Sequence, residues 1–327
     1  MSFTPTRRSL CRGALAGLAA AAFAPAVRAR AGVVPIAFQS IWIDDPEFMG
    51  YFIAIDKGWY REEGLDLTYI SGGPDVVPEA SLLTGKADIA LTSLIETATA
   101  VSEKGAPFKI IGAQFQISPD SVISLETSKI GSIKDLVGKT VACPPLTIAT
   151  FTVLLGLNGV GADEVKIVPY AFDPTPLATG QVDAVVDFMT SLPFIVEQTT
   201  GKKASYLLFH DFGLPFGQNF VTVSEETLKS RRTDLAAFLR ASRRGWNEAI
   251  ADTDRYVGAF QDSWFKGNGS TPEANAFHAH VQLPLMAHRD GVFAIDAASI
   301  ETNLATLDKV GIRAGRDLFD ASVLAEL

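Results

Sequence analysis

Two stretches of this chain, Thr84-Gly85-Lys86-Ala87-Asp88-Ile89-Ala90-Leu91 and Thr179-Gly180-Gln181-Val182-Asp183-Ala184-Val185-Val186, follow one plan: a glycine, an aspartate, then an apolar run. Glycine supplies the left-handed backbone that ends a helix, and a short apolar run bounded in this way is a buried strand. A chain that uses the unit twice is predicted to build two similar lobes. The pattern around the first copy extends the reading, with strands expected over 34–38, 65–70, 87–91 and 108–113 and helices over 48–60, 77–83 and 94–104. Strand and helix in turn give an α/β fold, a mostly parallel sheet flanked by helices.

A second sheet is expected to begin at Ile133-Lys134-Asp135-Leu136-Val137-Gly138-Lys139-Thr140-Val141-Ala142, where a short helix stops at a glycine and a strand follows. The last third differs: Leu228, Leu235, Phe238, Leu239, Trp246 and Ile250 fall near helical spacing, so this region should wrap one lobe. The expected division is 32–126 with 215–327 as one lobe and 127–214 as a second lobe inserted into it.

Residues 1–31 carry Arg7, Arg8, Arg12, Arg28 and Arg30, no acidic residue, and an apolar stretch over 13–27 too short to span a bilayer comfortably. Thr6-Arg7-Arg8-Ser9-Leu10-Cys11 resembles a twin-arginine export signal, and Ala29-Arg30-Ala31 offers a cleavage pattern. Cys11 precedes the apolar stretch, the wrong side for lipid attachment. A soluble periplasmic product is expected. Cleavage removes five of the 28 basic residues and none of the 37 acidic ones, leaving a net charge of −14, which disfavours nucleic acid as a partner. Only Cys143 remains, so the mature chain has no internal disulfide and no cysteine-based metal site. Its stability must come from packed cores, and its length calls for two of them.

The segment Trp42-Ile43-Asp44-Asp45-Pro46-Glu47-Phe48-Met49-Gly50-Tyr51-Phe52-Ile53-Ala54, followed by Lys57-Gly58-Trp59-Tyr60 and Glu63-Gly64-Leu65-Asp66-Leu67, resembles the nitrate, sulfonate and thiamine-pyrimidine-precursor branch of periplasmic solute-binding proteins. Further matches are Gly72-Gly73-Pro74, Gln114-Phe115-Gln116, Asp135-Leu136-Val137-Gly138-Lys139, the two repeated units and Ala241-Ser242-Arg243-Arg244-Gly245-Trp246. Each is weak alone; their order and joint presence carry the likeness over nearly the whole mature chain. The resemblance implies the two-lobed periplasmic binding protein fold (type II), with a small-molecule ligand held between the lobes by hinge closure. It also implies an ABC permease and ATPase as partners, a monomer, and no cofactor.

In open parallel sheets, ligands sit beyond the carboxyl ends of the strands. The loop after the first strand offers Trp42 and Phe48 to sandwich a flat ring and Asp45 to accept hydrogen bonds, whereas Asp44 is as well read as a helix cap. After the strand over 87–91 come Thr92 and Ser93, which could face a ligand or cap the helix containing Glu96. Gln114 and Gln116 share one face of an apolar strand. In the inserted lobe, Pro144-Pro145-Leu146-Thr147 precedes a helix over 148–157, with Thr147 a contact or an N-cap. Asp187 and Phe188 end the strand equivalent to that before Thr92, and Asp173-Pro174 is as well read as a turn. His278 and His280, two apart, lie on different helix faces, off the usual metal-binding spacing. The basic stretch Arg231, Arg232, Arg240, Arg243 and Arg244 is read as a solvated face or a permease contact.

The same branch includes thiamine pyrimidine synthase, an enzyme whose pattern places a lysine and a histidine on the segment matching 92–96 and a cysteine-rich run near 212–220. This chain has Thr92 and Glu96 in the first place and Asp211-Phe212-Gly213-Leu214-Pro215-Phe216-Gly217-Gln218-Asn219-Phe220 in the second. A Schiff base needs an amine, which neither threonine nor glutamate supplies. The expectation is a binding protein and not an enzyme. Aspartates and amides in the candidate loops favour a nitrogen-rich ring, such as a pyrimidine precursor or a flavin-like heteroaromatic, over nitrate or a sulfonate.

Overall fold

The computed structural model describes residues 32–327, and the expected leader over 1–31 lies outside the described residues. Ten strands form two five-stranded sheets. In chain order they are β1 (Val34–Gln39), β2 (Leu65–Ile70), β3 (Ile89–Thr92), β4 (Phe108–Phe115), β5 (Asp120–Leu125), β6 (Thr140–Cys143), β7 (Lys166–Pro169), β8 (Ala184–Phe188), β9 (Ala204–Leu208) and β10 (Gln218–Ser224). The first sheet has the order β2-β1-β3-β10-β4 and the second β7-β6-β8-β5-β9. Both follow one plan: β1 pairs in parallel with β2 and β3, as β6 does with β7 and β8. Each sheet then takes one antiparallel strand, β10 in the first and β5 in the second. The sheets are therefore mixed, because each receives one strand arriving from the other lobe and running the opposite way. Strand β5, placed with the first lobe by an expected boundary at residue 126, is hydrogen-bonded into the second sheet.

The repeated sequence unit has a shared structural job. Asp88 Oδ2 accepts the Ala37 amide at 2.8 Å while the Asp88 amide donates to the Ala37 carbonyl. Asp183 does the same to Thr140, accepting its amide at 2.8 Å. Each aspartate thus brackets the first parallel strand of its sheet, β1 or β6, which explains why the residue stands between the glycine and the strand. Gly85 and Gly180 have φ of +70° and +75°, a region costly for side chains with a Cβ.

The helix expected over 48–60 is broken: a short 3-10 turn Pro46–Phe48, a helix Met49–Asp56 and a short helix Trp59–Glu62, divided at Gly58 with φ +72°. The first of these α-helices crosses the 20-residue helix Arg232–Ala251 at Gly50 and Gly245, where a Cβ on Gly245 would collide with the Gly50 carbonyl and one on Gly50 with the Trp246 ring. Phe38 on β1 packs against Tyr51 at 4.8 Å and Phe238 at 5.0 Å between ring centres, joining sheet and both helices in one core. The arginines of the late helix hold it down: Arg231 pairs with Asp88, Arg240 with Glu63, and Arg244 pairs with Glu62 and stacks over Trp59. Two segments cross between the sheets, one after β4 and one before β10, and they are tied together by the Ser118 amide donating to the Phe216 carbonyl at 2.8 Å. No helix among the described residues is long and apolar enough to cross a membrane.

Candidate ligand-binding site

A cavity of about 750 Å³ lies between the two sheets, at the ends of their parallel strands. One wall comes from the loop after β1, with Trp42, Asp45 and Glu47; from Ser93 and Glu96 at the start of helix Leu94–Lys104; and from Gln218, Asn219 and His278. The facing wall comes from Asp120, from Pro144 to Thr147 ahead of helix Ile148–Leu157, from Tyr170 and Phe172 after β7, and from Asp187 and Phe188 at the end of β8. Trp42 and Phe172 meet across the opening with ring centres 4.9 Å apart and planes at 60°. A second contact between the lobes stacks Phe194 on Phe277 at 5.1 Å.

Six of the ten sequence candidates line this cavity: Trp42, Asp45, Ser93, Thr147, Asp187 and Phe188. Thr147 and Ser93 both sit at helix N-caps yet make no side-chain bond to the helix backbone, so neither is committed to capping. The other four point elsewhere. Phe48 is fully buried in the first-lobe core against Phe52, because the 3-10 turn after Asp45 rotates it inward. The aromatic partner of Trp42 is Phe172 instead. Thr92 is buried between the hydroxyls of Thr222 and Thr97, each at 2.7 Å. Gln114 donates to the Glu47 carbonyl at 2.7 Å, and Gln116 to the Ala294 carbonyl at 2.9 Å, so both support the structure behind the site. Asp44 accepts from Tyr69 and Ser71, while the helix-capping role falls to Asp45, which takes the Glu47 amide at 2.8 Å. Asp173 caps its own turn through the Thr175 amide.

Sequence reasoning missed Glu47, Asp120, Tyr170, Phe172, Gln218, Asn219 and His278 as wall residues. Tyr170 and Phe172 follow the carboxyl end of β7, where the strand-end rule already pointed. His278 comes from a helix far along the chain and has no local signal. Asn219 and Phe172 have φ of +53° and +60°; asparagine tolerates that region, whereas phenylalanine is held there at a cost.

The electrostatics of the cavity are one-sided. Among its lining residues are five acids in addition to Glu79, and no lysine or arginine. Burial pushes Glu47 up to about 7, against the lowering effect of the Asn219 amide donating to its Oε1 at 2.6 Å. Burial, with Glu79 and Asp120 nearby, takes Glu96 to about 7. Asp120 and Asp187 rise to about 6, again through burial, and Asp45 is raised by burial and the neighbouring Glu47. Asp187 also accepts from the Tyr170 hydroxyl at 2.9 Å. The Gln218 Oε1 and Asn219 Oδ1 atoms are buried without a partner. Such a wall offers acceptors in excess of donors, and desolvated acceptors call for a ligand that brings N–H groups or positive charge.

Residues 45–255, more than half of the chain, match the family described as NMT1/THI5 like. The chain is 24% identical over 291 residues to the formylaminopyrimidine-binding protein of Halalkalibacterium halodurans, covering 87% of this chain and 86% of that one. It is 23% identical over 242 residues to the riboflavin-binding protein RibY of Chloroflexus aurantiacus, covering 72% and 68%. In fold it is similar to the periplasmic aliphatic sulphonate binding protein SsuA of Escherichia coli, with a TM-score of 0.66 and 14% identity over 85% of this chain and 91% of that one. The match over residues 45–255 establishes that the chain belongs to the NMT1/THI5-like family.

Proposed function

We propose that this protein is the substrate-binding component of an ABC-type importer, exported to the periplasm, that closes two lobes over a small nitrogen-rich heteroaromatic molecule. The lobes in this reading are 32–119 with 215–327, and 120–214, hinged at the two crossing segments. The observation that carries the reading is the cavity wall: an aromatic pair, Trp42 and Phe172, beside carboxylates and amide oxygens, with no cationic side chain. Aromatic faces grip a flat ring, and acceptors recognise its N–H groups. Relatives named for binding formylaminopyrimidine and riboflavin support a ring of this kind. An anion such as a sulfonate or nitrate needs cationic or N–H donors, and this wall is rich in the opposite groups.

The chemistry of the wall supports capture without conversion. A lysine-bound cofactor needs an amine on the wall; position 92 is a threonine locked to Thr222 and Thr97, and position 96 a half-buried glutamate. Native mass spectrometry of protein taken from the periplasm tests both halves of the reading. The expected spectrum shows one chain starting at Gly32 with one bound heteroaromatic molecule. A bound sulfonate, or conversion of an added aminopyrimidine, overturns it.

A further inference from the structure

We propose that Asp45, Glu47 and His278 form a binding site for a divalent transition-metal cation in the wall of the cavity. One donor atom from each of the three lies within 4.8 Å of the others. Ligands held at about 2.0–2.2 Å from one ion stand roughly 3–4 Å apart, so a contraction of about 1–2 Å brings all three onto a single cation. Two carboxylates and one imidazole, without sulfur, suit ions of the zinc and manganese kind, and two negative charges match a dication.

The turn bearing both carboxylates is clamped from behind. Gln114 donates to the Glu47 carbonyl and Gln282 to the Pro46 carbonyl, each at 2.7 Å. Each carboxylate is then oriented by one donor that leaves its second oxygen free of it. Asp45 Oδ1 takes the Glu47 amide and leaves Oδ2 facing His278 Nδ1 at 3.8 Å, too far for a hydrogen bond. Glu47 Oε1 takes the Asn219 amide. Outer groups that fix carboxylates in this way are what a metal site requires.

A second, independent observation asks for an occupant. His278 is 5% exposed and lines the cavity, yet neither ring nitrogen has a hydrogen-bond partner, Nε2 being unpartnered and Nδ1 standing 3.8 Å from Asp45, and Asn219, fully buried beside Glu47, keeps an unpartnered Oδ1. Buried polar atoms without partners are rare unless something else satisfies them. No lysine or arginine lines the cavity to balance the two acids. An ion here would face the cavity with open coordination positions, where ligand nitrogen or oxygen could join it.

The test uses full-length protein, stripped with a chelator, desalted and dialysed against zinc chloride, with metal counted by elemental analysis. One zinc per chain at micromolar concentration is expected. D45N, E47Q and H278Q should each weaken uptake about 10-fold or more, and H280A, on an exposed histidine outside the cluster, should not. Far-UV circular dichroism identifies the variants that keep the fold, and any two of the three suffice for the comparison. Uptake well below one equivalent, or uptake that all the cluster variants retain, overturns the proposal. Ring binding is measured on the metal-free protein by calorimetry, so loss of the zinc result leaves the proposed clamp standing or falling on its own data.

Discussion

At the scale of single residues, two aromatic side chains, Trp42 and Phe172, define the opening. Trp42 and Phe172 belong to different lobes and meet only across the cavity, whereas Phe48 is core. Replacing Trp42 or Phe172 with alanine is expected to weaken ring binding by about 2 kcal/mol, roughly 30-fold, with little loss of stability. Phe48→Ala should instead cost about 3–5 kcal/mol of stability. Calorimetry alongside thermal unfolding separates the two, and equal effects of all three on stability alone would contradict the assignment. The half-buried acids of the cavity wall add a pH signature. Glu96 near 7 and Asp120 and Asp187 near 6 hold protons in the folded chain that the unfolded chain has already released above about pH 4. The contribution of these carboxyls to stability is therefore highest toward the acid side of the window from about pH 4 to 7 and falls as the pH rises through it, opposed below about pH 6.5 by the single His278 imidazole, which burial lowers to about 4. The midpoint of thermal unfolding should be higher at pH 5 than at pH 7.5, and Asp187→Asn should flatten the difference; a midpoint that climbs over this range contradicts the burial of these groups.

At the scale of elements, the sequence was most legible where one local rule decided the outcome. Helices Leu94–Lys104 and Ile148–Leu157 have the expected bounds, since each follows a strand and carries its own stop signal. The helix over 48–60 was not legible as three pieces, because the break at Gly58 is a backbone event inside a continuous apolar pattern. The strand exchange was equally invisible, since pairing of β5 and β10 in opposite lobes is a long-range choice that periodicity does not encode. Among site residues, most in loops directly after strands were found, Tyr170 and Phe172 after β7 being the exceptions, and His278 on a distant helix was not. The repeated unit gives the sharpest test at this scale. Asp88→Ala and Asp183→Ala each leave a strand amide without its acceptor, at a cost of about 1–3 kcal/mol in chemical unfolding. Comparable losses from the two lobes are expected, and no loss in either contradicts the bracketing role.

At the scale of the whole molecule, two lobes of equivalent topology exchange one strand each and enclose a cavity whose chemistry is acidic and aromatic. The strand exchange places the connections between lobes at the two paired segments near Ser118 and Phe216, a natural axis for opening. The late arginines, which sequence left open as a docking face, serve largely to fasten the helix Arg232–Ala251 to the first lobe. The claim on which the account turns is that the enclosed wall selects a donor-bearing ring and rejects an anion. Isothermal titration of the purified protein with an aminopyrimidine, riboflavin, ethanesulfonate and nitrate tests it most directly. The account predicts saturable one-to-one binding of at least one of the two ring compounds and none of ethanesulfonate or nitrate; tight binding of either anion with no heat from the rings would contradict it.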